Sequence, residues 1–230
     1  MEQNPEYIRA CYDAVAVEYA DRFSEELAHK PLDCQLLRRF AKSVAGRGCV
    51  YDLGCGPGQT TAFLHDCGVT VYGVDISPQL LQQARQRHPA STFIEGDMLA
   101  LPVADASATG LVAFYAIVHF TLAQLRQAFS EMYRVLSAGG HLLLAFHMGE
   151  QTVHVEEFLG KAITLDFVFF TPATITEELS RRGFEELECI ERAPYPDVEY
   201  PSRRAYLFAQ KARKRGISER EVYLDDGRDS

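Results

Sequence analysis

The sequence is short of the features that most quickly classify a chain. No two of its six cysteines (Cys11, Cys34, Cys49, Cys55, Cys67 and Cys189) form a C-x-x-C pair or a zinc-like spacing. That pattern excludes a zinc cluster and predicts reduced thiols with no structural disulfide. No window reaches the ~18 apolar residues of a membrane span, and the opening residues MEQNPEYIRA have neither a basic start nor a signal-length apolar stretch. The expected location is the cytoplasm. Basic residues are in deficit, 23 Lys and Arg against 32 Asp and Glu, for a formal net charge of -9. A field of that sign repels phosphate backbones and anionic membrane surfaces, so neither nucleic acid nor stable membrane association is expected. The one basic run, Lys211 to Arg215 in KARKR, opens a charged stretch without periodicity, and residues 211–230 are expected to be a frayed tail. There is no internal repeat.

What is present suits a single globular unit. The 230 residues, 47% of them hydrophobic, can bury a sizeable core. Tyr7, Ile8, Cys11, Val15, Tyr19 and Phe23 recur at three- and four-residue spacing behind Asn4-Pro5, which predicts a helix over residues 5–30. Pro31 introduces a second amphipathic stretch carrying Leu32, Leu36, Leu37 and Phe40, ended by the Gly46 to Gly48 turn. From Cys49 onward short β-rich runs alternate with helical patterns. Fully apolar runs such as Leu111 to Ala116 and Leu142 to Phe146 demand burial on both faces, as in a parallel sheet covered by crossover helices. The implied architecture is an open, doubly wound α/β sheet. Ser77-Pro78 marks one helix start, and Gly139-Gly140 is read as following the end of another. Residues 148–170 break the alternation, and the aromatic TLDFVFF must cover something. Thr171-Pro172 opens a further helix that closes near Gly183, and the strands FEELECIER and SRRAYLFAQ follow.

The stretch VYDLGCGPGQT, residues 50–60, sets glycines at 54, 56 and 58 directly after the first apolar strand. A dinucleotide fingerprint needs G-x-G-x-x-G, with its last glycine at the helix–strand contact. Here Gln59 occupies that slot, and no Gly-Lys-Ser/Thr follows that would make a P-loop.

The G-x-G-x-G turn resembles motif I of the class I S-adenosylmethionine-dependent methyltransferases, and the order of motifs extends the resemblance over roughly residues 10–210. It implies a Rossmann-like, seven-stranded, mostly parallel sheet with the last strand antiparallel. Around it would stand an N-terminal helical lid (1–45), a cofactor-binding domain (46–210) and a substrate-lid insertion (148–170). It places Gly54, Cys55, Gly56 and Gly58 under the amino-acid end of S-adenosylmethionine, with Asp52 facing its ammonium group. Asp75, with Ile76 and Ser77 after it in VDIS, matches the acid that accepts from both ribose hydroxyls. Gly96, Asp97 and Met98 match the adenine-binding segment, although Asp97 also reads as a turn or cap residue. Phe114 and Tyr115 would run past the cofactor. Tyr12 and Tyr19, in CYDAVAVEYADRF, match a Tyr-Asp and Tyr-Ala pair at the border of cofactor and acceptor, while an aromatic packing stripe explains them equally well.

The implied activity is in-line methyl transfer to a small-molecule acceptor. His119 is the candidate general base, Tyr19 a second catalytic candidate, and His119, His147, Phe167 and Phe170 the candidate acceptor contacts. Capping or packing roles for the histidines, and core packing for the phenylalanines, stay open. The chain has no Asn-Pro-Pro-Tyr type motif of enzymes acting on polymer nitrogens and no acidic cluster of metal-dependent catechol enzymes, so no metal is expected. The expected partner is a small-molecule acceptor, and a homodimer stays open. A quinone-type C-methyltransferase, a non-catalytic cofactor-binding protein and an oxidoreductase on the same fold are the alternatives.

Overall fold

A computed structural model describes residues 4–213. Asn4 caps helix α1 (Pro5–Ala14) by accepting from the Tyr7 N–H at 2.8 Å, and Pro5 fills the first turn. The expected single helix over residues 5–30 is instead three pieces. At Val15 the backbone leaves the helical region (φ -112°, ψ 13°), α2 (Ala16–Phe23) restarts, and a 3₁₀ turn (Glu26–His29) follows. Val15 is fully buried, and the bend lets both α1 and α2 lie on α5 (Pro78–Arg87). Helix α3 (Pro31–Val44) forms as its spacing predicts.

Strands β1 (Cys49–Leu53), β2 (Val71–Asp75), β3 (Thr92–Glu95), β4 (Ala108–Phe114) and β5 (Leu136–His147) pair in parallel around the crossover helices α4 (Gln59–Asp66), α5 and α6 (Leu122–Val135). After α7 (Pro172–Arg182) come β8 (Phe184–Arg192) and β9 (Arg204–Lys211), and β9 slots antiparallel between β5 and β8. The seven strands run β3-β2-β1-β4-β5-β9-β8, the mostly parallel sheet expected, with its last strand antiparallel. Strand β9 continues through Lys211, whose Nζ donates to the Tyr133 and Leu136 carbonyls, so the ordered domain extends past the expected start of the tail. Most of that tail lies outside the described residues.

The central strands are buried on both faces, as their unbroken apolar runs require. Leu111, Leu142 and Leu144 pack with Phe129 and Met132 of α6 on one side. Val112, Leu143 and Tyr206 pack with Leu37, Phe40 and Val44 of α3 on the other. Thr121 and Gln124 close a capping box at the start of α6. Gly139-Gly140 follow the end of that helix, but inside a strand: α6 stops at Val135 and β5 begins at the next residue, with Gly139 (φ 71°) where the β4–β5 register shifts. Residues 148–170 contain a separate antiparallel pair, β6 (Thr152–Val155) and β7 (Leu165–Val168). No helix among the described residues is long and apolar enough to cross a membrane.

Phe40 is fully buried, and its ring lies where a Cβ on Gly110 would have to go, 2.8 Å away. Phe40→Ala should cost about 3–5 kcal/mol, read as a lowered urea midpoint at unchanged slope. A loss under about 1 kcal/mol would mean that α3 is not integral to the core.

Candidate active site

The site is built at the carboxyl ends of β1, β2 and β4, where an open parallel sheet leaves a crevice. The glycine turn after β1 is pinned to β2: the Gly54 and Cys55 N–H groups donate to the Val74 carbonyl at 2.8 and 3.0 Å. Its three glycines do different work. A Cβ on Gly54 would lie 2.5 Å from the Ala116 Cβ, and one on Gly58 would lie 2.7 Å from the Phe93 ring, so protein neighbours demand both. Gly56 (φ 53°) has only the Tyr19 ring near its missing Cβ, at 3.6 Å, and otherwise faces open space. Gly58 thus serves α4 packing and lines neither of the two cavities of the site, a correction to the expected cofactor role.

Asp75, 7% exposed, ends β2 and accepts from the Gly56 N–H (2.8 Å) and the Ser77 N–H (2.9 Å). Burial pushes its carboxyl above the usual range despite those bonds, so desolvation outweighs the two amides. Ser77 lies off the cavities and is a capping residue: its hydroxyl accepts from the Leu80 N–H and donates to Asp13 of α1 at 2.6 Å. Asp75, Ile76, Gly96, Asp97 and Met98 line the smaller cavity. Asp97 also accepts from the Leu99 N–H at 2.8 Å, so its turn role and its cavity position coexist.

The larger cavity, about 620 Å³, opens on the other side of the glycine turn. Asp52, Cys55 and Gln59 line it with Val153, Phe158 and Phe167 of the 148–170 segment. Asp52 is 1% exposed, and burial pushes its carboxyl up to about 7 while the Thr61 hydroxyl, donating at 2.7 Å, pulls the other way. Tyr12, Tyr19, Gly54, Gly56, Phe114 and Tyr115 line both cavities and form the wall between them.

His119 lies against that wall. The Asp166 carbonyl can only accept, so the Nδ1 2.8 Å from it carries the proton, and Nε2 accepts from the Tyr12 hydroxyl at 2.8 Å. Burial pushes His119 down to about 4, so the imidazole is neutral at neutral pH. Tyr19 sets its ring edge-on to Tyr12, 5.5 Å between centroids, and burial pushes its phenol up. Phe167 stands 5.0 Å from the His119 ring. His147 stacks on Phe169 at 4.9 Å and lines the larger cavity, whereas His119 lines the smaller. Phe170 does not reach either cavity and packs in the main core with Ile175 and Leu179, which corrects its expected acceptor role.

Lys30, Arg204 and Glu199 also line the larger cavity, and sequence reasoning missed all three. So did it miss Asp33, fully buried, which accepts from Tyr115, Tyr206 and Arg192. The signal existed: Asp33 interrupts the apolar stripe of α3, and Arg204 stands in a strand whose other residues are mostly apolar. Tyr115 is held by this network at φ 57°, a conformation that costs a bulky residue about 1–3 kcal/mol.

Comparison with known proteins bears on this geometry directly. Residues 50–140 match the family described as methyltransferase domain. The malonyl-[acyl-carrier protein] O-methyltransferase of Enterobacter lignolyticus is 31% identical over 144 residues, covering 60% of this chain and 52% of that protein. An O-methyltransferase of Pyrenophora dematioidea is 30% identical over 180 residues, covering 72% and 64%. The magnesium protoporphyrin IX methyltransferase of Synechocystis PCC 6803, solved with bound S-adenosylmethionine, superposes with a TM-score of 0.69 at 17% identity over 90% of this chain and 97% of that one. Residues 50–140 thus match a methyltransferase domain, and the fold around them is that of S-adenosylmethionine-dependent methyltransferases. The chain spans about half the length of the Enterobacter relative.

The residues of the site fit S-adenosylmethionine. Gln59 Oε1 is buried without a hydrogen-bond partner and lines the cavity beside Asp52, a pair of acceptors suited to an ammonium group. A carboxylate has about four acceptor positions, so Asp75 keeps capacity for hydroxyls after serving two amides. Asp97 and Met98 would hold the adenine, and Gly56 leaves the room that a Cβ would fill. Among the described residues no group of three His, Cys, Asp or Glu side chains stands where a metal ion could be held.

Two tests follow from this site. Asp75→Ala should weaken S-adenosylhomocysteine binding by roughly 10- to 150-fold, the value of hydrogen bonds to a charged group, and unchanged affinity would contradict the ribose assignment. Asp52 gives a pH dependence. With its carboxyl raised to about 7, the unliganded protein loses stability as pH rises from about 4 through 7, and an ammonium partner favours the ionised form. Affinity for S-adenosylhomocysteine should therefore climb about tenfold from pH 6 to pH 8 and stay flat in Asp52→Asn. A wild-type profile as flat as the variant's would remove Asp52 from the ammonium site.

Proposed function

We propose that this chain transfers the methyl group of S-adenosylmethionine to a small-molecule acceptor held in the larger cavity. The observation that carries the reading is the shared wall: Tyr12, Tyr19, Phe114 and Tyr115 border both the cavity with Asp75 and Asp97 and the one with Phe158 and Phe167. The bound cofactor supplies an activated methyl on sulfur. Alignment of two bound partners can provide about 7–11 kcal/mol of barrier lowering, so the residues on the wall chiefly have to position and exclude water.

The segment 148–170 and the N-terminal helices act as the lid over the acceptor. Tyr7 donates to the Thr164 carbonyl at 2.8 Å, Lys161 pairs with Glu18 at 2.8 Å, and Val168 N–H donates to the Val118 carbonyl at 2.6 Å. These contacts join the two lid pieces to each other and to the loop that carries His119. A His119 near 4 is a weak base, suited to taking a proton through Tyr12 once transfer has made it acidic, and suited equally to orienting Tyr12. The net charge of -9 supports an acceptor other than nucleic acid.

Calorimetry tests the reading. S-adenosylmethionine and S-adenosylhomocysteine should bind with micromolar affinity and NADH should not, and labelled methyl should pass to members of a small-molecule acceptor panel. In His119→Ala, turnover with any acceptor so found should fall ~10²-fold or more with cofactor affinity within twofold of wild type. Binding of NADH in place of the sulfur compounds would overturn the proposal, and full turnover in His119→Ala would make that residue structural.

A further inference from the structure

The larger cavity has a polar corner that methyl transfer itself does not require. Lys30 and Arg204 are 4% and 2% exposed, and both set their cationic heads beside the Tyr115 ring, 5.1 and 5.7 Å from its centroid. Carboxylates nearby are committed elsewhere. Glu199 takes both terminal nitrogens of Arg192 and the Tyr195 N–H, and its Oε2 is 3.5 Å from both Lys30 and Arg204. Asp33 takes Arg192 and two phenols. Glu26, on the rim, takes Lys30 at 2.6 Å and the Gln59 amide at 3.3 Å.

Arg204 has only a share in the Glu199 carboxylate, 3.5 Å away, which it divides with Arg192 and Lys30. Its close partners are neutral: the Tyr200 carbonyl at 2.8 Å, and the Ser202 carbonyl and hydroxyl. Its Nε is buried with no hydrogen-bond partner. A buried guanidinium that shares one carboxylate with two other cations and keeps a bare Nε is short of acceptors, and a further anion would complete it.

Resting on the reading of the larger cavity as the acceptor's chamber, we propose that this corner binds an anionic group of the acceptor, a carboxylate or a phosphate. Arg204 is its principal ligand and Lys30 its second. The remaining wall, with Val153, Val155, Phe158 and Phe167, then receives an apolar body, which makes the acceptor class an organic anion with an aliphatic or aromatic frame. The field agrees: His147, across the same corner, is pushed down to about 3 by burial and then by Arg204 and Lys30, with Glu199 opposing. Arg204 lines only the larger cavity and His119 only the smaller, so the anion serves as a handle set apart from the Tyr12–His119 pair.

The test titrates protein saturated with S-adenosylhomocysteine with 4-hydroxybenzoate, octanoate and phenyl phosphate, and with 4-hydroxybenzamide as the uncharged match. At least one anion should bind tenfold or more tighter than the amide, with carboxylates against phosphate identifying the source of the charge. Arg204→Gln should erase that preference while leaving S-adenosylhomocysteine affinity within twofold, and Arg204→Lys should restore part of it. If Arg204→Gln does not fold, the wild-type comparison of acid with amide and the Lys30→Met variant decide. Equal binding of acid and amide, or no anion binding by protein that binds S-adenosylhomocysteine, overturns the inference alone. A fivefold or greater loss of S-adenosylhomocysteine affinity in Arg204→Gln also overturns it, because the guanidinium then serves the cofactor's own carboxylate. Wild-type protein that fails to bind S-adenosylhomocysteine sinks the methyltransferase reading beneath it.

Discussion

One buried carboxylate organises the catalytic end of the sheet. Asp75 accepts from the Gly56 and Ser77 amides, so a single side chain ties the turn after β1 to the start of α5. Ser77 passes the grip to Asp13, which also accepts from the Gln79 N–H, and α1 is held to α5 through it. The desolvation that lifts the Asp75 carboxyl is the cost of this arrangement, and two amide donors offset part of it. Without that carboxylate the glycine turn, the α5 cap and the N-terminal helices would lose their common anchor.

A second buried acid does the corresponding work on the far side. Asp33, on α3, gathers Tyr115, Tyr206 and Arg192, and Arg192 reaches on to Glu199. The network holds Tyr115 in a left-handed conformation just past the end of β4, where it lines both cavities. The residues that border both cavities are therefore held from two directions, by Asp75 through the glycine turn and by Asp33 through Tyr115. Tyr12 joins them from α1, hydrogen-bonded to a neutral His119 whose other nitrogen is held by the insertion. Alignment of donor and acceptor needs a fixed passage where the two cavities meet, and these bonds hold the side chains that border it.

The parts of this arrangement legible in the sequence are those written in local signals. The apolar central strands, the Ser77-Pro78 and Thr171-Pro172 helix starts and the G-x-G-x-G turn each follow from neighbouring residues, and the resemblance they support gave the sheet with its antiparallel last strand. What failed or went unread depends on tertiary packing. The bend at Val15 exists because two short helices must share α5. Gly139 sits in a strand because α6 passes into β5 without a loop. Phe170 shares an aromatic run with Phe167 but lies beyond the end of β7 and turns into the core. The Asp33 and Arg204 polar clusters join residues more than 100 positions apart, as with Asp33 and Tyr206, and only the presence of a charge within an apolar pattern hinted at them.

The central claim is that in the proposed site the nucleoside of the cofactor lies in the smaller cavity, its amino-acid end reaches Asp52 and Gln59 in the larger one, and the acceptor takes the space left there. A crystal structure of the complex with S-adenosylhomocysteine tests it most directly. The account predicts the ribose on Asp75, the adenine against Asp97 and Met98, and the space between Phe167 and Arg204 left open for an acceptor. Adenosine density against Phe158 and Phe167, with Asp75 untouched, would contradict it.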